Sequence, residues 1–588
     1  MGAIISTVSF VATTVKTLYG DYESFSARIA LSPGIPQTKA TCSFWMHPPS
    51  PNARYGEDTP LPTETDIVII GSGITGASIA KTLLEHHYKL HGQDAGKPRI
   101  VMLEARDLCS GATGRNGGHI SPNIYNEYIQ LKQAHGMDMA LQIMRFRLAH
   151  IGTLLSIAKA EGLLEDSQAR IVEEYDAFMD EGLFSRCKDA VETFATEAPI
   201  EGKGFRTIED SSFIEQLQLS SSFIGLISKP GAAIHPYRFI TSILSKLLSQ
   251  HSNFQIFTNT PCTDIVSSSE CYTVTTPRGQ IKAQHIVHAT NAWSSHLIPG
   301  MRKKIVPTRL HMSAQRPGKG LTAPVPSTTP GGEARSWVSE RAFVFLPGSH
   351  DWAFDYLTQL LPPPDVTANT ESTRNFPPTQ GEFMFGGGAT LAGRSDALLM
   401  ENIGRTDESA DFEIEAYLSG ALERYFRPHW GAEGGFTLDS DTEPPTTLNE
   451  DGSEQPSDPV NSKWNKGRVK ALWTGIMGLS ADALPWVGRI PSSISERSQP
   501  NPAAQYSDVS SEPKFRARSL TAPGEWICAG FSGEGMVHAW LCGRAVAHMV
   551  LGEPDEDRHT PVLPSSFLIT EQRCRKAKLE NMLTQLSS

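Results

Sequence analysis

Three glycines, Gly71, Gly73 and Gly76, stand at GxGxxG spacing between an apolar run, TDIVII, and a helix-forming stretch, ASIAKTLLE. Residues of this type and spacing can hold a pyrophosphate. The first glycine permits a tight turn, the second lets backbone approach the phosphates, and the third lets helix and strand pack closely. Ser72, Ile74 and Thr75 complete the turn, and the helix that starts there offers free N–H groups to an anion. A second apolar strand, RIVMLEA, ends in Glu104, followed by Ala105 and Arg106. A carboxylate at that strand end accepts hydrogen bonds from ribose hydroxyls and repels a 2′-phosphate, which disfavours NADP. Glu104 lies further from the glycines than the usual ~20 residues. The polar stretch HYKLHGQDAGKP accounts for the difference as a longer helix-to-strand loop.

NAD and FAD fit this turn equally. The segment that follows, ARDLCSGATGRNGGHISPN, separates them, because four glycines fall between Gly111 and Gly118 among Ala112, Thr113, Arg115 and Asn116. Side-chain-free positions such as Gly111 and Gly117 let backbone pass close to a bulky ring and its ribityl chain. An NAD domain has no need of such a segment directly after its second strand. The competing reading is a surface glycine loop.

On these residues the chain resembles the FAD-dependent oxidoreductases of the D-amino-acid oxidase, glycine oxidase and sarcosine oxidase family. It is most similar to the branch of γ-glutamylputrescine oxidase and its fungal relatives, through SGATGRNGG (Ser110 to Gly118). HIVHATNAW, with Thr290, resembles the family's turn against the cofactor, and GEFMFGGG its returning substrate-domain strand. GIMGLSADALPWVGRIP, then EWICAGFSGEGMVHAWLCGRAVAHMVLG, resembles its C-terminal signature. There Gly530, Ser532, Gly533, Glu534, Gly535 and Met536 form a second turn before a helix, with Val537, Leu541, Ala545 and Met549 along the expected apolar face. The resemblance implies FAD, facing this second turn with its pyrimidine edge. Arg115 and Gly475 occupy the places from which some relatives tether the flavin covalently, so a non-covalent cofactor is expected.

The resemblance further implies hydride transfer from a carbon bearing an amine, hydrolysis of the imine, and return of the electrons to oxygen as hydrogen peroxide. A dehydrogenase with another acceptor, a catalytically silent scaffold and a plain NAD dehydrogenase are the competing readings. Among side chains, His119 follows the glycine segment and is a candidate base or hydrogen-bond donor beside the ring. In PTRLHMSAQRP, Arg309 and His311 alternate on one strand face, where an arginine could hold a substrate carboxylate. Tyr356 and Gln359 in DYLTQ are the remaining candidates.

The elements that must position these residues read as an α/β opening joined to a β-rich later part. The expected fold is α/β plus α+β: a Rossmann-like FAD-binding domain of the glutathione-reductase type, interleaved with a substrate domain on a mixed or antiparallel sheet. The 588 residues divide into an N-terminal lead-in (1–62), FAD-binding segments 63–125, 225–300 and 465–553, and a tail (554–588). A helical part of the substrate domain spans 126–224 and its second part spans 301–464. Helix is expected from about Ile124 to Phe194, and the Pro- and acid-rich stretches 361–381, 437–463 and 494–524 are expected to be mobile insertions.

A net charge of -12 without long blocks of one sign argues against a nucleic-acid partner. The eight cysteines are scattered, with no CxxC pair and no His/Cys cluster at metal-ligand spacing, so no metal is expected and reduced thiols in an intracellular, cytoplasmic protein are. No run reaches the roughly 18 to 20 apolar residues of a membrane span. The start, MGAIISTVSF, also fits the Gly2/Ser6 myristoylation pattern and loosely a targeting sequence. Small amine-type substrates and oxygen, or another electron acceptor, are the expected partners; oligomeric state stays open.

Overall fold

The computed structural model describes residues 23–91, 97–322, 337, 339–362, 376, 379–388, 401–433, 447–448, 454–455, 464–501 and 520–578. The Gly2/Ser6 pattern and most of the three insertions lie outside these residues.

Two sheets organise the chain. In the first, β1 (Glu64–Ile70) runs parallel between β2 (Ile100–Leu103) and β10 (Gly279–His288), with β7 (Phe254–Phe257) outside β2. On the other flank β19 (Gly524–Ala529) is parallel to β10 and β18 (Trp486–Arg489) is antiparallel to β19, while β8 (Asp264–Ser267) and β9 (Tyr272–Thr276) hang from β10. β1 is buried from Thr65 to Ile70, which is why its sequence is a β-branched run without alternation. The helices 74–91 and 539–551 pack on this sheet and on each other. Helix 539–551 is buried nearly all round, and of the expected apolar face Ala545 and Met549 are only half-buried.

The second sheet runs in the order β17 (Val469–Ser480), β11 (Ile305–Gln315), β14 (Phe383–Gly387), β13 (Asp355–Gln359), β12 (Arg341–Leu346), β4 (Arg170–Phe178), β6 (Gly225–Ala233) and β3 (His119–Ile120). A short β5 (Arg206–Ile208) adds to β6, and a separate two-residue ladder joins β15 (Thr447–Leu448) to β16 (Glu454–Gln455). Period-two alternation sorts its side chains. One face carries Tyr175, Phe343, Phe345, Phe383 and Phe385 and packs on Tyr425 and Phe426 of the helix 412–426. The other carries Glu174, Asp176, Lys229, Tyr356, Met312 and Trp473 and turns toward the glycine segment.

The sheets correct three expected boundaries. β6, assigned by sequence to the FAD-binding segment 225–300, ladders along all of β4. β17, assigned to the segment 465–553, pairs antiparallel with β11. β3, within the expected 63–125, is already in the second sheet. The chain returns to the first sheet through the helix 236–250, and finally at β18. The expected helical region also contains β4. Helices 125–135 and 137–160 are separated by Gly136 at φ 84, and β4 precedes the helix 181–197.

The lead-in is packed rather than loose where it meets the glycine segment. Trp45 is fully buried and its indole donates to the Asn116 carbonyl at 2.5 Å. Trp45→Phe keeps most of the ring volume but leaves that carbonyl unpaired. A loss of about 1–3 kcal/mol in unfolding free energy is expected, measured by thermal or denaturant unfolding.

Candidate functional site: two glycine turns over a buried charged face

At the first turn Gly71 adopts φ 109, and a Cβ there would lie 2.6 Å from the Ala289 carbonyl at the end of β10. At Gly76 a Cβ would lie 2.0 Å from the Gly71 carbonyl. Both positions therefore exclude a side chain on packing grounds as well as for ligand approach. The Glu104 carboxylate reaches the turn, accepting from Ser72 N (3.1 Å), Ser72 Oγ (2.6 Å) and Arg106 N (3.1 Å). Thr113 ties the two glycine segments together, its hydroxyl accepting from Ile74 N at 3.0 Å. Thr290, beside Ala289, bonds Ser294 at 2.8 Å.

The segment Gly111 to Gly118 is held by its carbonyls. Ser43 donates to Gly114 O (2.6 Å), Trp473 to Arg115 O (2.9 Å), Trp45 to Asn116 O, Thr358 to Gly117 O (2.8 Å) and Ile234 N to Gly118 O (2.9 Å). The Arg115 guanidinium is likewise engaged, donating to Ser110 O and Thr41 O at 2.8 Å and to Thr474 O at 2.9 Å. Arg106 donates to Asp407 at 2.9 Å and Arg115 lies 3.7 Å from the same buried carboxylate.

The second turn has positive φ at Gly530, Ser532 and Gly533. It is stitched to β17, with Ser532 N donating to Gly478 O at 2.9 Å and Ser480 N to Ser532 Oγ at 3.0 Å. Gly535 and Met536 open a single 3-10 turn before the helix. Glu534 turns away from the glycines. It lies 3.0 Å from the buried Arg147, which Glu127 also binds, and burial against that guanidinium still leaves its pKa raised to about 7.

The pattern of the FAD-dependent oxidoreductase (DAO) family matches residues 66–549. The chain belongs to that family. FAD is thus the dinucleotide of this DAO-family protein, and the residues fit it: a glycine cradle a Cβ would fill, a carboxylate at the end of the second strand and a second glycine turn. Among curated relatives, γ-glutamylputrescine oxidoreductase of Escherichia coli is 24% identical over 250 residues, 41% of this chain and 53% of that protein. The chain spans about half the length of the curated relatives it matches, 44% to 56%. Among solved structures, an L-amino acid deaminase from Proteus vulgaris with its specific insertion deleted is 14% identical, covering 89% of this chain and 99% of that one at TM-score 0.52. Iminodiacetate oxidase from Chelativorans sp. BNC1 is 15% identical, covering 85% and 100% at TM-score 0.50. These likenesses establish the shared fold.

Of the four side chains proposed for catalysis from sequence, the DAO-family fold brings two to the glycine segment. Tyr356 packs between Gly117 and Gly386, its hydroxyl 3.0 Å from the Met312 sulfur. His119 stands beside it, its Nε2 donating to Leu357 O at 3.1 Å, and burial with Lys229 nearby lowers its pKa to about 3. A base is therefore not available there at neutral pH through Nε2. Arg309 and His311 point the other way. They lie on the face opposite Met312, where Arg309 bonds Asn402 (2.7 Å) and Ser409, and His311 accepts from Asp411 N (2.8 Å) at the start of the helix 412–426. They share a strand face, as the alternation implies, but it is the far one. Gln359 ends β13, its amide bonded to Gly381 O and Ser339 N.

Residues not singled out from sequence fill the near face. Lys229 lies 2.7 Å from Asp176, and the Tyr125 hydroxyl donates to the other Asp176 oxygen at 2.6 Å. Burial opposes the charge on Lys229, yet Asp176 and Glu174 hold its pKa above the usual value. Glu174 is fully buried, accepts from Ser121 at 3.2 Å, and is pushed by burial, against Lys229, to about 7. The available signal was period two within RIVEEYDAF, which places Glu174 and Asp176 on one face; helical spacing on both sides hid it.

Two tests follow from this geometry. Gly71→Ala forces a side chain into φ 109, at a cost of about 1–3 kcal/mol, and is expected to lower FAD retention about tenfold or more, read as flavin per protein after desalting. Glu174 binds its proton more tightly when folded, so it subtracts stability as pH rises from the usual 4.5 to about 7. Glu174→Gln removes that charging cost. The variant should gain on the wild type by on the order of 2 kcal/mol between pH 5 and 7.5, in paired unfolding curves.

Proposed function

We propose that this protein oxidises a carbon–nitrogen bond of a small amine-type substrate, with FAD bound non-covalently and oxygen as the final acceptor, yielding hydrogen peroxide. The observation that carries the reading is the glycine segment, tied to the first turn through Thr113, lying against a buried, charged face of the second sheet. FAD, when bound, supplies the hydride acceptor. The chain supplies the rest: glycine turns that hold the dinucleotide, a sheet face that orients the substrate's C–H bond, and burial that keeps water from the reacting carbon. His119, fixed through Nε2–H to Leu357 O, presents Nδ1 as an acceptor, and Tyr356 walls the site beside Gly117. The family membership and the amine-acting relative among the matches support an amine rather than an alcohol.

Non-covalent FAD is supported by the residues at the tethering places, since Arg115 is fully engaged with main-chain oxygens and Gly475 has no side chain. The purified holoprotein should release FAD on denaturation and bleach anaerobically with an amine or amino acid. Admission of oxygen should restore the colour with one peroxide per turnover. Slow reoxidation without peroxide would assign a dehydrogenase, and no bleaching by any amine or amino acid would remove the reading. Arg309→Ala, on the far sheet face, should leave the bleaching rate within about twofold of wild type, as expected of a side chain remote from the reacting atoms.

A further inference from the structure

The near face of the second sheet holds more buried carboxylate than cation. Glu174 and Asp176, two apart on β4, point to the same side, and Lys229 is the cross-strand partner of Glu174. Yet Lys229 leans to Asp176, at 2.7 Å, and Tyr125 completes that group. Glu174 keeps one donor, Ser121, on Oε1, and its Oε2 is buried with no hydrogen-bond partner. His119 Nε2 is 3.9 Å from that oxygen but committed to Leu357 O, and its lowered pKa leaves it uncharged. Gly231 makes the space: a Cβ there would stand 2.8 Å from Oε2. The adjoining turn is also rich in acid, with the buried Arg147 between Glu127 and Glu534. A buried carboxylate without a partner is costly, and the group that removes the cost is a cation with N–H donors.

A carboxylate-bearing substrate would need the reverse. Among the described residues of this face, the basic side chains are spoken for: Lys229 by Asp176, Arg147 by two glutamates, and Arg170 by the carbonyls of Gln168, Ser339 and Gln359. We propose that Glu174 is the recognition carboxylate for the ammonium group of the substrate and takes its proton, so that the preferred substrates are amines lacking an α-carboxylate. The inference rests on the C–N oxidation reading above. The primary ammonium group gives one proton to Glu174, freeing the nitrogen lone pair. Hydride loss from the adjoining carbon to the FAD of that reading leaves a protonated imine, with a carbon–nitrogen double bond. Water converts that imine to the carbonyl compound and an ammonium ion. Glu174 returns its proton to solvent, and that proton with the hydride reduces oxygen to hydrogen peroxide.

The test uses FAD-loaded protein and two tert-butyl compounds of opposite charge, tert-butylamine and pivalate, neither of which has an α-hydrogen to lose. The expected result is saturable perturbation of the flavin absorbance and a raised unfolding temperature with tert-butylammonium, at concentrations where pivalate does neither. Glu174→Gln should weaken the ammonium about tenfold or more. Tighter binding of pivalate by the wild type overturns the inference whether or not the variant folds, as does unchanged ammonium affinity in a folded variant. Anaerobic mixing separates the levels. Bleaching by benzylamine or putrescine and not by glycine or D-alanine supports the inference; bleaching by the amino acids alone overturns it and leaves C–N oxidation standing. Bleaching by none of these four overturns the inference, while C–N oxidation falls only when no amine or amino acid in a broad panel bleaches the flavin.

Discussion

An irregular backbone buried between two sheets has no ladder of its own, so each of its carbonyls must be paired from elsewhere. From Gly114 to Gly118 five successive carbonyls meet five different donors: Ser43 and Trp45 of the lead-in, Trp473 of β17, Thr358 of β13 and the amide of Ile234 after β6. These donors come from parts of the chain separated by more than four hundred residues. The glycine segment is thereby fixed only when the second sheet, the lead-in and the crossover are all in place. Interleaving of the two domains follows from this requirement, because donors on both sides of the cofactor strand have to arrive from chain that has crossed and returned.

The second sheet acts as the partition. Strand periodicity sends the phenylalanines of β12 and β14 to the helix 412–426 and Glu174, Asp176 and Lys229 toward the glycine segment, and a side chain's surroundings are decided by its parity on the strand. Met312 and His311 are neighbours in sequence, yet one touches Tyr356 and the other holds the Asp411 amide. The same parity that puts Phe343 and Phe345 into an aromatic cluster with Tyr425 places Glu174 and Asp176 on the opposite face of the sheet, toward the glycine segment.

Much of the cofactor side was legible in the sequence, because its signals are local. Gly71, Gly73, Gly76 and Glu104 are read from a strand, a turn and a strand end within forty residues, and the second turn from EWICAGFSGEG likewise. The substrate side was not legible for a matching reason. Which face of β11 looks at the cofactor depends on its pairing with β14 and β17, far along the chain, so Arg309 and His311 could be placed on a common face but not on the correct one. β4 was hidden because its charged residues, Glu173, Glu174 and Asp176, break the apolar alternation that announces a strand. Buried charge in a strand obscures the signal by its nature.

The two buried charge clusters differ in their balance. At the dinucleotide side Arg106 and Arg115 share Asp407, so two guanidiniums face one carboxylate, and burial with Arg106 close by lowers the pKa of Arg115 to about 10. The Glu104 carboxylate, accepting from the Arg106 amide, brings that side to two cations and two carboxylates. Across the glycine segment Glu174 and Asp176 share Lys229, a net negative charge in a place closed to water. A protein selected for stability alone would balance the second cluster as it does the first, or replace it with apolar side chains. Keeping an acid surplus buried on the sheet side of the segment costs stability, a cost that a cationic group with N–H donors would relieve.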